Sequence, residues 1–129
     1  MLITVFTPTY NRAKLLPRLH KSLQEQTKKN FEWLIIDDGS TDNTKKIIET
    51  TIEKNKDKFP IRYFYKQNGG KHTAINYGVK KAKGELFLIL DSDDSLPNYS
   101  LENIQNAYKK GKEKENFGGV CGLMGHHNG

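Results

Sequence analysis

The feature that most constrains the fold is an apolar run that ends abruptly in carboxylates. Residues 86–90 read LFLIL, and Asp91, Asp93 and Asp94 follow directly. A short continuous apolar run of this kind is typical of a strand buried in a parallel sheet. The carboxylates then lie at the carboxyl end of the strand, where open α/β sheets bind their ligands.

The clustered carboxylates need a partner, because they repel one another and resist dehydration unless a cation joins them. Oxygen ligands suit Mg²⁺ or Mn²⁺, so the acidic cluster at residues 91–94 predicts a divalent metal that holds the phosphates of a ligand. The alternative is an acidic N-cap on the next helix. The metal hypothesis requires a nucleotide pocket built by the rest of the chain.

The rest of the chain alternates strand patterns with helix patterns. Besides the run described above, strands are predicted at residues 2–7, 31–38, 61–65 and 119–124. Apolar residues at helical spacing fill the intervals. The order β-α-β-α-β-α-β-α-β predicts one three-layer α/β/α domain with a mostly parallel sheet, Rossmann-like, that ends after its fifth strand.

Four local expectations follow from this element order. Pro8 is expected to stop the first strand at residue 7. Val79 in the third helix and Ala107 in the fourth are expected to face the core. Gly84 is expected to end the third helix in the left-handed conformation.

Polar loops follow three of the predicted strands, at residues 7–12, 37–42 and 91–95. Parallel strands place all their carboxyl ends on one side of a sheet. We therefore expect the three loops to converge on one pocket.

Composition excludes several classes of protein. No apolar run approaches the ~20 residues of a transmembrane helix, and residues 1–6 lack the basic flank and cleavage site of a signal peptide, so the sequence predicts a cytoplasmic protein. The net charge of +6 comes from lysines interleaved with glutamates, which favours solvated helix faces over nucleic-acid binding and leaves weak attraction to a membrane surface open. Cys121 has no second cysteine with which to form a disulfide or a CxxC metal site.

Other nucleotide-binding motifs fit poorly. No GxGxxG follows the first strand, which excludes a Rossmann dinucleotide site. Residues 70–71 resemble the end of a phosphate loop, but Tyr65 stands where that loop requires glycine and His72 where it requires Ser or Thr. An aspartyl-phosphate phosphatase with Asp91 as nucleophile is chemically sound, but it leaves residues 37–38 and the first loop without a role.

Five short motifs stand in a fixed order along the chain. They are TPTYNR at residues 7–12, DDGSTD at 37–42, NGG at 68–70 with AINYG at 74–78, AKGE at 82–85, and DSDD at 91–94. Each motif alone is weak. Together, in this order and spacing, they resemble the family-2 glycosyltransferases of the GT-A fold, over residues 2 to about 96.

The resemblance implies that the chain binds a nucleotide sugar, usually a UDP-sugar, and belongs to an enzyme that transfers the sugar with inversion. The nucleotide-sugar-binding residues would be Thr7, Pro8, Thr9, Tyr10, Asp37, Asp38, Lys71, Asp91 and Ser92, and the metal ligands would be Asp93 and Asp91. The metal would be Mn or Mg.

The resemblance also assigns individual roles. The loop at residues 7–10 would line the base pocket, and Asp38 would accept a hydrogen bond from the ring N–H of the base while Asp37 supports the turn. Asp93 would bind the metal directly, and Asp94 would cap the next helix. Lys71 begins the third helix beside the pocket, where a helix N-terminus favours phosphate, although a solvated lysine explains its position equally well.

The chain departs from the family at its end. Family members carry a second half that binds the acceptor and supplies the general base, and this chain stops just after its predicted fifth strand. We expect residues 1–129 to be the donor-binding portion, with the general base beyond residue 129. The expected acceptor is a polysaccharide, a glycoconjugate or a lipid-linked glycan, and a lipid-linked acceptor leaves association with the inner face of a membrane open. A non-catalytic module that only binds a nucleotide is the alternative.

Overall fold

The computed structural model describes residues 3–54 and 59–112 of the chain. The elements in order are β1 (Ile3–Thr9), α1 (Leu16–Gln24), β2 (Phe31–Asp37), α2 (Thr44–Lys54), β3 (Ile61–Tyr65), α3 (Lys71–Lys81), β4 (Leu86–Ile89) and α4 (Ser100–Lys112). The predicted fifth strand at residues 119–124, which contains Cys121, lies outside the described residues.

The strands form one parallel sheet in the order β3-β2-β1-β4. Ile3 lies opposite Phe31 on one side and Leu86 on the other, so the strands start nearly level. Their carboxyl ends consequently lie at the same edge. The central strands β1 and β2 are buried along their whole length, because helices cover both faces of the sheet.

Two apolar clusters separate the layers. On one face Val5 and Trp33 pack with Leu19 of α1, Ile48 of α2 and Leu101 of α4. On the other face Phe6, Leu34 and Ile36 pack with Ala74 of α3. Successive strand residues point to opposite faces, which gives each face its own core. The predicted three-layer α/β/α architecture is confirmed.

The first strand does not stop at Pro8 as predicted. The carbonyl of Phe6 accepts a hydrogen bond from Leu90 on the β4 side, and the carbonyl of Thr9 accepts one from Asp38 on the β2 side, both at 2.8 Å. Since alternate residues of a strand turn their backbone groups to opposite sides, Pro8 faces the β4 side. Pairing with β4 has ended there, so its missing N–H leaves no bond unmade.

Two predicted core positions on the helices are wrong. Val79 is 56% exposed, and Gly78 lies inward in its place. A Cβ on Gly78 would stand 2.2 Å from the Phe6 ring, so α3 approaches the sheet through its smallest residue. On α4, Ala107 is exposed and Gln105 is buried.

The predicted left-handed conformation of Gly84 is also wrong. Among the described glycines, positive φ occurs at Gly39 and Gly70. Gly84 is needed for close packing instead, because a Cβ there would lie 2.5 Å from the backbone nitrogen of Thr4. Its N–H donates to Thr4 Oγ1 at 2.9 Å, which fastens the turn before β4 to β1.

Candidate functional site

A cavity of about 340 Å³ lies at the carboxyl edge of the sheet. Its lining residues are Pro8, Thr9, Tyr10, Arg12, Asp38, Lys71, Ala74, Asp91, Ser92 and Asp93. The loops after β1, β2 and β4 all contribute, so the predicted convergence of the three polar loops is confirmed. The amino end of α3 forms a further wall.

The cavity brings together all the predicted site residues except Thr7 and Asp37. Thr7 is buried beneath it, and its Oγ1 accepts a hydrogen bond from Trp33 Nε1 at 2.9 Å. The sequence interpretation did not assign Arg12 or Ala74 to the site. Arg12 belongs to the first motif and could have been included on that ground. Ala74 lies near the start of α3, close along the helix to Lys71.

Asp37 is fully buried and acts within the protein. One carboxylate oxygen accepts the backbone N–H of Ser40 at 2.9 Å, and the other accepts the Tyr63 hydroxyl at 2.6 Å. Burial, together with the hydrogen bond to Asp37, raises the pKa of Tyr63 well above its usual range. Asp37 therefore holds the turn after β2 in place.

Asp38 lines the cavity and is already surrounded by donors. Oδ1 accepts from Lys66 Nζ at 2.6 Å and from the N–H of Gly69 at 2.9 Å. Oδ2 accepts from the N–H of Gly70 at 2.9 Å and, at 3.4 Å, from Asn68 Nδ2. Burial alone would raise the pKa of Asp38, but the Lys66 hydrogen bond and the two backbone donors outweigh it and lower the pKa. Asp38 stays ionised and anchors the loop before α3.

The loops after β1 and β2 are joined through Asn11. This residue has a φ of 53°, a left-handed conformation that asparagine tolerates better than most side chains. Its N–H donates to Ser40 Oγ at 2.8 Å, and its Oδ1 accepts the N–H groups of Thr41 and Asp42 at 2.8 and 3.2 Å. This Asn11 clamp places Tyr10 on the cavity wall.

The acidic cluster consists of Asp91, Asp93 and Asp94, which offer carboxylate oxygens within 4.8 Å of one another. The cluster forms a tight turn: Asp94 N–H donates to the Asp91 carbonyl at 3.0 Å, and Asp91 N–H donates to Asp94 Oδ2 at 3.2 Å. The prediction that Asp94 caps the next helix is wrong, because α4 begins only at Ser100. Arg18 of α1 braces the turn by donating to the Asp93 carbonyl.

Two further polar residues, Lys71 and Thr9, belong to the cavity lining. Lys71, the first residue of α3, places Nζ 3.0 Å from Asp91 Oδ1. Thr9 is buried, and among the described residues its Oγ1 has no hydrogen-bond partner. The cavity thus has an acidic end, a cation and a polar wall beside the ring of Tyr10.

Comparison with known proteins identifies the family. The family model described as glycosyl transferase family 2 matches residues 4–123. The chain belongs to glycosyltransferase family 2.

Curated relatives agree with this family membership. An uncharacterized glycosyltransferase of Rickettsia conorii is 50% identical over 92 residues, which cover 71% of this chain and 15% of the relative. A Campylobacter jejuni protein named GalNAc(5)-diNAcBac-PP-undecaprenol beta-1,3-glucosyltransferase is 35% identical over 111 residues, covering 84% of this chain and 35% of the relative. The family-2 chain therefore spans 15% and 35% of the length of these two relatives.

Solved structures of the family share the fold. Staphylococcus aureus TarS, residues 1–349 in complex with UDP-GlcNAc, superposes with a TM-score of 0.75 at 31% identity, over 87% of this chain and 32% of that one. The mannosyltransferase PcManGT from Pyrobaculum calidifontis, in complex with GDP-Man and Mn²⁺, gives a TM-score of 0.73 at 29% identity, over 83% of this chain and 31% of that one.

Family membership favours the glycosyltransferase interpretation of the acidic cluster over the phosphatase alternative. In the parts of this family-2 chain that the structure describes, no helix has both the length and the apolar character that crossing a membrane requires.

Proposed function

We propose that this chain is the donor-binding portion of an inverting glycosyltransferase whose donor is a UDP-sugar. The observation that carries the proposal is the cavity itself, in which an acidic cluster and a lysine at a helix N-terminus meet at the carboxyl edge of the sheet. The similarity to TarS, whose structures contain UDP and UDP-GlcNAc, supports UDP as the nucleotide.

In this proposal Asp93 and Asp91 hold Mn²⁺ or Mg²⁺. Three carboxylates on one turn are the hard oxygen donors that these ions prefer, and the structure of PcManGT with GDP-Man contains Mn²⁺. The bound ion would neutralise the charge that develops on the diphosphate leaving group.

The base would lie against the loop at residues 7–10. Tyr10 is 44% exposed and offers its ring to a base. Asp38 would accept a hydrogen bond from the ring N–H of the base in addition to its internal donors. The contact from Asn68, at 3.4 Å the longest of these, is the one that a base N–H would replace most easily.

The proposed acceptor substrate is inferred from a relative. The Campylobacter protein is named for transfer to an undecaprenol-linked glycan, and we propose a glycan or lipid-linked glycan acceptor here as well. A lipid-linked acceptor would bring the enzyme to the cytoplasmic face of a membrane, where the net charge of +6 would favour anionic headgroups. The general base would lie outside residues 1–129.

The first prediction tests the metal and the nucleotide together. We expect UDP to bind the chain in Mn²⁺ and much more weakly in EDTA, measured by isothermal titration calorimetry. Asp93→Ala should abolish the metal-dependent part of the UDP affinity, and its unfolding temperature should stay within a few degrees of the wild-type value. Glu53→Ala, which removes an exposed carboxylate on α2, is the matched control and should bind like the wild type. Equal UDP affinity in Mn²⁺ and in EDTA would overturn the proposal.

A further inference from the structure

The acidic cluster already contains a cation of the protein's own. Lys71 Nζ lies 3.0 Å from Asp91 Oδ1 and 3.1 Å from Asp91 Oδ2, so one ammonium contacts both oxygens of this carboxylate. Asp91 is also one of the three acidic residues whose oxygens lie within 4.8 Å of one another. A metal ion that used Asp91 would compete with Lys71 for the same oxygens.

We propose that Lys71 couples metal binding to diphosphate binding. In the free site its ammonium neutralises Asp91 and weakens the binding of a divalent ion. When a nucleoside diphosphate enters, the Lys71 side chain moves so that its ammonium binds a phosphate oxygen. The carboxylate of Asp91 is then free to bind the metal. The inference rests on the proposed function, because it concerns the same metal and the same diphosphate.

The geometry allows Lys71 to make this exchange. Its backbone is fixed as the first residue of α3, but its side chain is 55% exposed, and a lysine ammonium on its four-carbon stem reorients readily. The N-cap residue, Gly70, makes no side-chain capping bond. A phosphate near Lys71 would therefore also meet the positive end of the helix.

The neighbouring cations are engaged elsewhere. Lys66 is paired with Asp38 at 2.6 Å. Arg12 donates to the carbonyls of Tyr10 and Asn11 at 3.3 and 3.4 Å. Among the described residues, Lys71 is the cation that forms an ion pair with a carboxylate of the acidic cluster.

If this coupling exists, removing Lys71 changes the affinity for Mn²⁺ alone and the affinity for UDP with Mn²⁺ in opposite directions. Mn²⁺ alone should bind more tightly, because its competitor is gone. UDP in the presence of Mn²⁺ should bind more weakly, because a phosphate contact is gone. A lysine that served only the fold would not change these two affinities in opposite directions.

The experiment measures both affinities in the same variants of the chain. Free Mn²⁺ is titrated by electron paramagnetic resonance without nucleotide, and UDP is titrated by calorimetry in saturating Mn²⁺. For Lys71→Met we expect Mn²⁺ alone to bind about two- to fivefold more tightly, the change that an exposed ion pair supports, and UDP to bind at least about threefold more weakly. Lys71→Arg keeps the charge and should stay near the wild type. Lys80→Met removes an exposed positive charge from the same helix and controls for the change in the overall electrostatic field of the protein.

The outcomes separate the inference from the proposed function. If the wild type binds UDP with Mn²⁺ but Lys71→Met leaves the affinity for Mn²⁺ alone unchanged or weaker, the coupling is overturned and the proposed function stands. The same conclusion follows if Lys80→Met matches Lys71→Met. Failure of the wild type to bind UDP under any condition overturns both.

Discussion

At the scale of single residues, the pair formed by Asp38 and Lys66 is the most consequential feature of the site. The two side chains are only 9% and 16% exposed and lie 2.6 Å apart. Breaking a buried pair by removing one partner leaves the other charge uncompensated, which costs about 3–5 kcal/mol. Asp38 therefore contributes to the stability of the site loop as well as lining the cavity.

The second prediction follows from this pair. Asp38→Ala should lower the free energy of unfolding by about 3 kcal/mol, measured by urea denaturation, and should weaken UDP binding by about 1–3 kcal/mol. Lys66→Met is the matched comparison, because it disturbs the same loop but leaves the Asp38 oxygens in place. If Asp38 contacts the base, Lys66→Met binds UDP more tightly than Asp38→Ala does. Equal UDP affinities in the two variants would show that Asp38 acts only through the loop.

At the scale of elements, a buried carboxylate joins three parts of the fold at the other end of the sheet from the cavity. Glu32 of β2 accepts the Thr4 hydroxyl at 2.6 Å, Arg62 Nε at 2.8 Å and the backbone N–H of Lys83 at 2.7 Å. Burial alone would raise the pKa of Glu32, but the hydrogen bonds from Arg62, Thr4 and Lys83 outweigh it, so the pKa lies below 4.5.

The third prediction concerns acid stability. Because the folded pKa of Glu32 is depressed, its contribution is complete above the unfolded value of 4.5 and is lost as the pH falls through the folded value. Glu32→Gln should lower the free energy of unfolding by about 2–4 kcal/mol at pH 7. The difference from the wild type should shrink as the pH falls below the unfolded value of 4.5, followed by urea denaturation at a series of acid pH values. A difference that stays constant over this range would exclude Glu32 as a source of the acid sensitivity.

The sequence predicted the elements better than their packing. The strand at residues 61–65 has its predicted bounds, because Pro60 precedes a short run of residues with high strand propensity. Val79 was predicted to face the core because it is hydrophobic. Gly78 lies there instead, because the space against Phe6 is too small for a side chain. The donors to Asp38 come from residues about 30 positions further along the chain, so no local pattern could reveal that its oxygens are occupied.

At the scale of the whole molecule, the chain is short beside its relatives. It covers 15% of the Rickettsia relative and 35% of the Campylobacter one. Among the described residues, the carboxylates that line the cavity are Asp38, Asp91 and Asp93, and the proposal gives Asp38 to the base and the other two to the metal. Under this proposal, none of these three carboxylates remains to serve as general base for the acceptor.

The fourth prediction is that this chain binds donor without transferring sugar. Inverting displacement needs a base within about 3 Å of the acceptor hydroxyl, and holding both substrates together supplies much of the rate. The chain is incubated with UDP-GlcNAc, Mn²⁺ and glycan acceptors, and a full-length family-2 homologue serves as the positive control. We expect slow donor hydrolysis at most. Acceptor-dependent turnover near the rate of the homologue would contradict the prediction.

The Asn11 clamp has a consequence for the entropy of ligand binding. Asn11 bonds to Ser40 and Thr41, and the Ala13 N–H donates to Asp42 Oδ2, so the loops after β1 and β2 hold each other in place. A loop that is ordered before the ligand arrives loses little freedom when it binds, and more of the contact energy remains as affinity. One wall of the cavity is thus ordered in advance, while the exposed side chain of Lys71 keeps another part of the lining adjustable.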